Sequence, residues 1–124
     1  MSIVSCRVKS IRPEYNNLEE WFKNPNNVYI GRHGRIFIGG GKPANRRLFH
    51  YQSSIWHNPF SIKDYGLDRC LELYEQYIRE KIEADPETYD LLSLKGKCLG
   101  CWCKPNRCHG DILLSLIDEK KFEL

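Results

Sequence analysis

The segment that says most about the fold is residues 97–117, KCLGCWCKPNRCHGDILLSLI. Residues 97–102 form a short, largely apolar run, which is typical of a buried strand. Apolar residues then return at helical spacing, and they predict a C-terminal helix that begins near His109: Ile112, Leu113, Leu116 and Ile117. A strand that passes into a helix in this way favours an α/β or α+β layer fold.

Outward from this segment, the clearest pattern is an apolar stripe between residues 67 and 83, with residues at steps of three and four: Leu67, Leu71, Tyr74, Ile78 and Ile82. It predicts a long helix, with Asp64 or Asp68 as its N-cap. A shorter helix is expected after Asn17, with Glu20 three residues on. Another is expected from Asp85-Pro86, burying Leu91, Leu92 and Leu94.

Strands are expected at residues 3–8, 28–30 and 35–38, with a hairpin turn at His33-Gly34. A basic, Gly- and Arg-rich loop is expected at about residues 33–51. We therefore predict one α/β (or α+β) domain over residues 1–124. Its small mixed sheet has three or four strands covered by the two longer helices, and a ligand site lies at a strand-to-helix junction.

Charge is distributed unevenly along the chain. Residues 1–63 hold 10 Lys and Arg against 3 Asp and Glu, a net +7, whereas residues 64–124 hold 9 against 13, a net −4. No acidic residue occurs between Glu20 and Asp64. Such a basic stretch can attract phosphate, free or in a nucleic-acid backbone, and equally suits a solvated loop that balances the acidic half.

The sequence has no apolar run of membrane-spanning length and no pattern of a secretory signal. We expect no membrane association. The predicted location is the cytoplasm, that of the host cell if the source is viral, with the nucleus and the virion as alternatives. In a reducing compartment the six cysteines are expected to be thiols.

Residues 101–111, CWCKPNRCHGD, carry the chemistry: three thiols, an imidazole and a carboxylate within eleven residues. Strand alternation places Cys101 and Cys103 on one side and Cys98 on the other, where a core position is expected. The first turn of the following helix can bind an anion through its unpaired N–H groups. The same helix end favours thiolate at Cys108, and Gly110 would let a ligand approach the backbone.

Three interpretations of this segment compete. The first is a small-molecule or nucleotide site. The second is a structural zinc site formed by Cys101, Cys103, Cys108 and His109, although adjacent ligands at 108 and 109 do not fit the usual zinc spacing. The third is a buried turn in which His109 or Asp111 caps the helix. We predict that the protein needs no metal or other cofactor to fold.

Several blocks of the sequence occur together in one known family: residues 28–32 (VYIGR), 54–60 (SIWHNPF), the helix at 74–82, and the CWC-x-P-x-x-CHGD signature at 101–111. In these blocks, over roughly residues 28–116, the chain resembles DUF4326, a small domain family of bacteria, phages and large DNA viruses. The family has no established activity. The resemblance implies an α/β fold unit, makes a viral source plausible, and implies one constellation of site residues: Arg32, Asn58, Cys101, Cys103, Cys108, His109 and Asp111. The stretch at about 33–51 departs from the family pattern.

The leading hypothesis is a pocket for a nucleotide-like or phosphorylated small molecule, with hydrolysis or group transfer as the reaction. Arg32 and Arg107 would bind phosphate and Asn58 would orient the ligand. Cys103 or Cys108 would act as thiolate, His109 as proton carrier and Asp111 as its partner or base. The alternatives are a non-enzymatic viral or bacterial accessory module, including a nucleic-acid binder, and the structural zinc domain. A homodimer is compatible with each of them.

Overall fold

Short strands and helices alternate along the chain. The computed structural model describes residues 2–39, 46–102 and 107–121. Within these ranges the elements are β1 (Ser2–Ser5), α1 (Val8–Ile11), α2 (Leu18–Lys23), β2 (Asn27–Tyr29), β3 (Gly34–Ile38), β4 (Arg47–Tyr51), α3 (Ile62–Tyr65), α4 (Leu67–Ala84), a 3-10 turn (Leu91–Leu94), β5 (Cys98–Cys101) and α5 (His109–Lys121). None of the described helices combines the length and the apolarity that a membrane crossing requires.

Strand β5 lies in the centre of a three-stranded parallel sheet, between β1 and β2. Leu99 is in register with Ile3 on one side and Val28 on the other. Its residues are small or apolar because a central parallel strand is covered on both faces. The α/β class is thereby confirmed, and the carboxyl ends of all three strands meet at one edge.

Each face of this sheet has its own core. On one face α4 and α5 pack on Leu99, which is fully buried, as are Tyr74 of α4 and Leu113 of α5. The other face is covered by α1 and α2, with Trp21 over Gly100. A Cβ at Gly100 would lie 2.4 Å from Trp21 Cη2, so the indole requires glycine at this position.

The prediction that residues 28–30 and 35–38 pair as a hairpin is wrong. Strand β3 pairs antiparallel with β4, not with β2, and the two strands form a separate sheet. Residues 34–38 and 47–51 of the predicted loop are therefore strands, and neither sheet is mixed. The pairing places Phe49 and Tyr51 against Phe22 of α2, with ring centroids 5.7 and 6.3 Å apart, which favours this arrangement. Residues 40–45 of the predicted loop lie outside the described residues.

Helix predictions were confirmed where an apolar stripe or a cap was present. Helices α4 and α5 occupy the predicted ranges, and Asn17 caps α2 by accepting a hydrogen bond from Glu20 N at 3.0 Å. The start of α4 differs, however. Neither predicted aspartate caps it; its N-cap is Gly66 with φ +79°, which directly follows α3.

Two other predicted segments are corrected by the structure. The strand expected at 3–8 ends at Ser5, and Val8–Ile11 is helical, which buries Ile11 against Trp21. The helix expected from Asp85 is a turn followed by the 3-10 turn at 91–94. That turn buries Leu91 and Leu94 but leaves Leu92 exposed, because a 3-10 turn repeats every three residues.

Candidate ligand-binding site

A cavity of about 330 Å³ opens at the carboxyl edge of the parallel sheet. Its described walls come from several places along the chain: the end of β2 and the segment after it (29–33), Tyr51 of β4, residues 58–62, the start of α4, the end of β5 (101–102), and residues 107–109 at the start of α5. In sheets of parallel strands this edge is where ligands bind. The site residues expected from the sequence can therefore be located relative to a single cavity.

Residues 30–32, directly after β2, connect these walls through three successive carbonyl groups. The carbonyl of Ile30 lies 2.6 Å from His109 Nε2, at the start of α5. The carbonyl of Gly31 accepts from Ser54 N at 2.9 Å, and that of Arg32 accepts from the Tyr29 hydroxyl at 2.6 Å. The bonds to His109 and Tyr29 join this segment to two lining residues, and the bond to Ser54 joins it to the loop that follows β4.

The Arg32 side chain forms part of the cavity wall and also holds the neighbouring loop. Its Nε and Nη2 donate to the carbonyl of Asn58 at 2.9 and 2.8 Å, and Nη2 also donates to the carbonyl of Phe60 at 3.1 Å. Nη1 donates to none of the described residues. Arg32 is exposed and lines the cavity.

His109 is buried against the ring of Tyr74, with centroids 5.0 Å apart in an edge-on arrangement. Because a carbonyl only accepts, the contact with Ile30 assigns the proton to Nε2 and leaves the lone pair on Nδ1. Burial is the main cause that lowers the pKa of His109 to about 4, while the Ile30 bond partly opposes this shift. At pH 7 the ring is therefore neutral, with its one proton held on Nε2 by the Ile30 carbonyl and a lone pair on Nδ1.

Two thiols lie side by side in the cavity wall. Cys101 Sγ at the end of β5 and Cys108 Sγ, just before α5, are 3.4 Å apart, and both residues are buried. Cys103, the third cysteine of the motif, lies outside the described residues. Cys98, which was expected in the core, is only half-buried at the opposite end of β5.

The remaining predicted residues mostly have structural contacts. Asn58 donates to Cys70 Sγ at 3.2 Å and accepts from Phe60 N at 2.9 Å, so its side chain shapes the 58–60 turn. Arg107 lies at the rim, exposed, with Nη1 2.9 Å from an oxygen of Asp68. Asp111 Oδ2 accepts from the amide of Cys108 at 3.0 Å, which is the helix-capping role considered as an alternative above.

Gly110 does not serve the close ligand approach that its sequence position suggested. It is buried, and an added Cβ would lie 2.9 Å from Ile3 Cδ1 and 3.0 Å from Ile30 Cδ1. The glycine therefore lets the first turn of α5 pack on the sheet. This close packing is also what brings His109 within reach of the Ile30 carbonyl.

Three aromatic residues complete the site: Trp102 from the motif, and Tyr29 and Tyr51 from outside it. The Trp102 indole donates to the Tyr29 hydroxyl at 2.9 Å, and that hydroxyl in turn donates to the Arg32 carbonyl. Tyr51 from β4 stands beside Trp102, with centroids 6.0 Å apart. Burial raises the pKa of Tyr29, so its hydroxyl stays protonated. Trp102 belongs to the motif at 101–111, whereas only their positions at strand ends could have indicated Tyr29 and Tyr51 from the sequence.

Within residues 2–39, 46–102 and 107–121, no group of three or more His, Cys, Asp or Glu side chains is placed to hold a metal ion. In the zinc set considered above, His109 directs Nε2 to the Ile30 carbonyl. The proposed ligand Cys103 is outside these ranges. The prediction that folding needs no zinc stays a prediction.

An α/β domain with a cavity at the carboxyl edge of a parallel sheet is thus the class of protein that the structure defines. The chain belongs to the family described as domain of unknown function DUF4326, which it matches over residues 14–119.

Two curated relatives come from viruses. An uncharacterized protein of Acanthamoeba polyphaga mimivirus is 34% identical over 97 residues, which cover 72% of this chain and 65% of the mimivirus protein. An uncharacterized 12.4 kDa protein from the nrdA-td intergenic region of Enterobacteria phage T4 is 33% identical over 70 residues, covering 55% of this chain and 64% of the phage protein. The chain thus spans just under two thirds of the length of each relative. No solved structure matches.

Proposed function

We propose that this cavity binds a phosphorylated small molecule of the nucleotide class. The observation that carries the proposal is the charge of the cavity. Its lining includes two arginines, Arg32 and Arg107, and no Asp or Glu occurs among the described lining residues. A cavity with cationic groups and no acidic side chain selects an anion.

The position of the cavity supports the same ligand class. It lies outside the carboxyl ends of parallel strands and against the start of α5, where helix N–H groups and the helix dipole favour phosphate. Arg32 has Nη1 directed to none of the described residues, so two N–H donors remain for a ligand oxygen. Arg107 adds a second charge at the rim.

Aromatic side chains supply the complementary surface for a planar base. Tyr29, Tyr51 and Trp102 line the cavity beside the arginines, and rings of this kind stack on bases. A volume of about 330 Å³ is at the lower end of typical small-molecule sites. It suits a mononucleotide or sugar phosphate better than a dinucleotide.

Hydrolysis or group transfer at the nucleoside or its phosphate is the reaction class that the side chains favour. The Cys108 thiol is the proposed nucleophile, and Nδ1 of neutral His109 is the proposed proton acceptor. Because the His109 pKa is about 4, the neutral ring is a weak base at pH 7, and its protonated form is too scarce to act as an acid. A leaving group would then take its proton from water or from another residue.

A thermal-shift screen with nucleoside monophosphates, nucleoside diphosphates and sugar phosphates tests the binding proposal. A ligand at a hundredfold excess over its dissociation constant should stabilise the fold by about 2.7 kcal/mol. Arg107→Ala should weaken this response. Arg35→Ala removes the same charge from the exposed hairpin, outside the cavity lining, and should leave it unchanged. Equal responses of both variants, or no response to any compound, would overturn the proposal.

A second candidate function is nucleic-acid binding by the outer face of the β3–β4 hairpin. This face carries basic and apolar side chains together: Arg35, Phe37, Arg46, Leu48 and His50 are all exposed, with the Arg46 guanidinium 5.7 Å from the Phe37 ring centre. Basic groups beside an exposed aromatic suit a single strand. Binding to labelled oligonucleotides should fall steeply with salt and should be weakened in Phe37→Ala. Affinity that is independent of salt would remove this candidate.

A further inference from the structure

Cys101 and Cys108 form a close pair of thiols, of which the proposed function uses only Cys108. Their sulfur atoms are 3.4 Å apart, although the residues are separated by six others in the chain. Both belong to the cavity lining, while only 1% and 2% of their surfaces are exposed. Any reagent that reaches their sulfur atoms must therefore come through the cavity, which a protein-sized partner is too large to enter.

We propose that Cys101 and Cys108 are a reversible dithiol–disulfide couple that a low-molecular-weight disulfide oxidises through the cavity. A disulfide bond is about 2.05 Å long, so the two sulfur atoms must approach by about 1.4 Å. Rotation of the two side chains can supply this movement. The backbone on either side is held, by strand pairing at Cys101 and by the packing of Gly110 on Ile3 at α5.

Other described cysteines are less suited to this chemistry. Cys6 lies on the opposite face of the sheet beneath Trp21, and burial raises its pKa to about 12. A thiol that stays protonated is a poor nucleophile. Cys70 also lines the cavity, but its sulfur donates to the Phe60 carbonyl and accepts from Asn58, both at 3.2 Å. Cys98 lies at the other end of β5.

The proposed oxidation proceeds by two thiol–disulfide exchanges. Cys108 loses its proton to solvent, and its sulfur attacks one sulfur of the small disulfide RS–SR. That bond breaks, RS⁻ leaves and a mixed disulfide forms on Cys108. Cys101 loses its proton to the RS⁻ already released, its sulfur attacks the Cys108 sulfur, and the second RS⁻ leaves and takes up the proton that Cys108 gave to solvent. Two protein thiols are oxidised and one small disulfide is reduced to two thiols; excess thiol reverses both steps.

Cys108 is the better first nucleophile because it immediately precedes α5, whose positive end stabilises a thiolate. Oxidation would remove both thiols from the cavity wall. If Cys108 acts as the nucleophile proposed above, that reaction stops in the oxidised protein. This last consequence rests on the proposed function, whereas the couple itself does not.

Tryptic peptide mapping tests the couple without any ligand. The reduced full-length chain is incubated with excess oxidised glutathione, quenched in acid, alkylated and digested. Trypsin separates residues 98–107, which contain Cys98, Cys101 and Cys103, from residues 108–120, which contain Cys108. The expected product is these two peptides joined by one disulfide, with fragment ions assigning it to Cys101. Dithiothreitol should abolish it.

Two variants separate the proposal from its competitors. Cys103→Ser should keep the cross-linked product, and Cys101→Ser should lose it. Fragment-ion assignment in the unsubstituted protein decides the question even if a variant fails to fold. A link to Cys98 or Cys103, a glutathione adduct on Cys108 that never resolves, or a cross-link that forms only in denaturant would each overturn the couple.

Discussion

Mild acid should destabilise this protein through His109. The imidazole is buried and neutral in the fold, with a pKa of about 4, whereas an unfolded chain has the ordinary histidine value of about 6.5. As the pH falls below 6.5, the unfolded chain takes up a proton that the folded chain does not. The stabilisation is thus fully present above pH 6.5 and is lost as the pH falls towards 4.

The size of the effect follows from the two pKa values. Between pH 7 and pH 5 the linkage relation gives a loss of about 2 kcal/mol in the free energy of unfolding, and the loss approaches about 3 kcal/mol below pH 4. A domain of this size is typically stable by only about 5–15 kcal/mol. A loss of about 2 kcal/mol would therefore shift a urea denaturation curve clearly.

Urea denaturation followed by tryptophan fluorescence at pH 7, 6 and 5 measures this dependence. His109→Gln places an amide donor near the position of Nε2, so it can retain the bond to the Ile30 carbonyl without titrating. Its stability should change much less over this pH range. His50→Gln, on the exposed hairpin, should behave like the parent. If His109→Gln and the parent lose stability in parallel, the buried-histidine argument is wrong.

Three further predictions concern packing, the arginine contacts and metal. Gly100→Ala should lower the free energy of unfolding by about 1–3 kcal/mol, because the added Cβ would meet Trp21 Cη2 at 2.4 Å and Cys6 Sγ at 2.7 Å; an unchanged urea midpoint would contradict this. Arg32→Lys should lower the free energy of unfolding, measured by calorimetry, by about 1–2 kcal/mol, since one ammonium group cannot replace the planar guanidinium that donates to two carbonyls. A variant as stable as the parent would show that these hydrogen bonds do not stabilise the fold. Elemental analysis should find no stoichiometric zinc, and chelation should leave the unfolding midpoint unchanged; equimolar zinc with unfolding on chelation would establish the zinc domain instead.

Local patterns predicted the elements that carry a long apolar stripe. Helices α4 and α5 could be placed because their buried residues recur every three or four positions over several turns. The β3–β4 hairpin could not, since its strands have five residues each and their pairing depends on tertiary context. The ring contacts of Phe49 and Tyr51 with Phe22 of α2 involve residues far apart in sequence, so no local pattern contains them.

The same distinction applies to the candidate site. The motif at 101–111 indicated a group of reactive side chains near a strand-to-helix junction, and the structure brings Cys101, Cys108 and His109 to one cavity. The contact that fixes the tautomer of His109 is a hydrogen bond to the backbone carbonyl of Ile30, 79 residues earlier in the chain. Backbone carbonyls have no sequence signature, so neither the tautomer nor the lowered pKa of His109 could be predicted. The same holds for the contacts of Arg32 with residues 58 and 60.

These carbonyl contacts also determine how substitutions in the cavity should differ. Residues 30–32 accept hydrogen bonds from His109, Ser54 and Tyr29, and the Arg32 side chain adds the loop at 58–60. A substitution that removes one of these hydrogen bonds should alter both the shape of the cavity and the stability of the fold. Arg107 is different, because it is exposed at the rim and pairs only weakly with an exposed aspartate. Substitution of Arg107 should therefore lower ligand affinity without lowering the free energy of unfolding. Substitutions in residues 30–32 should lower both.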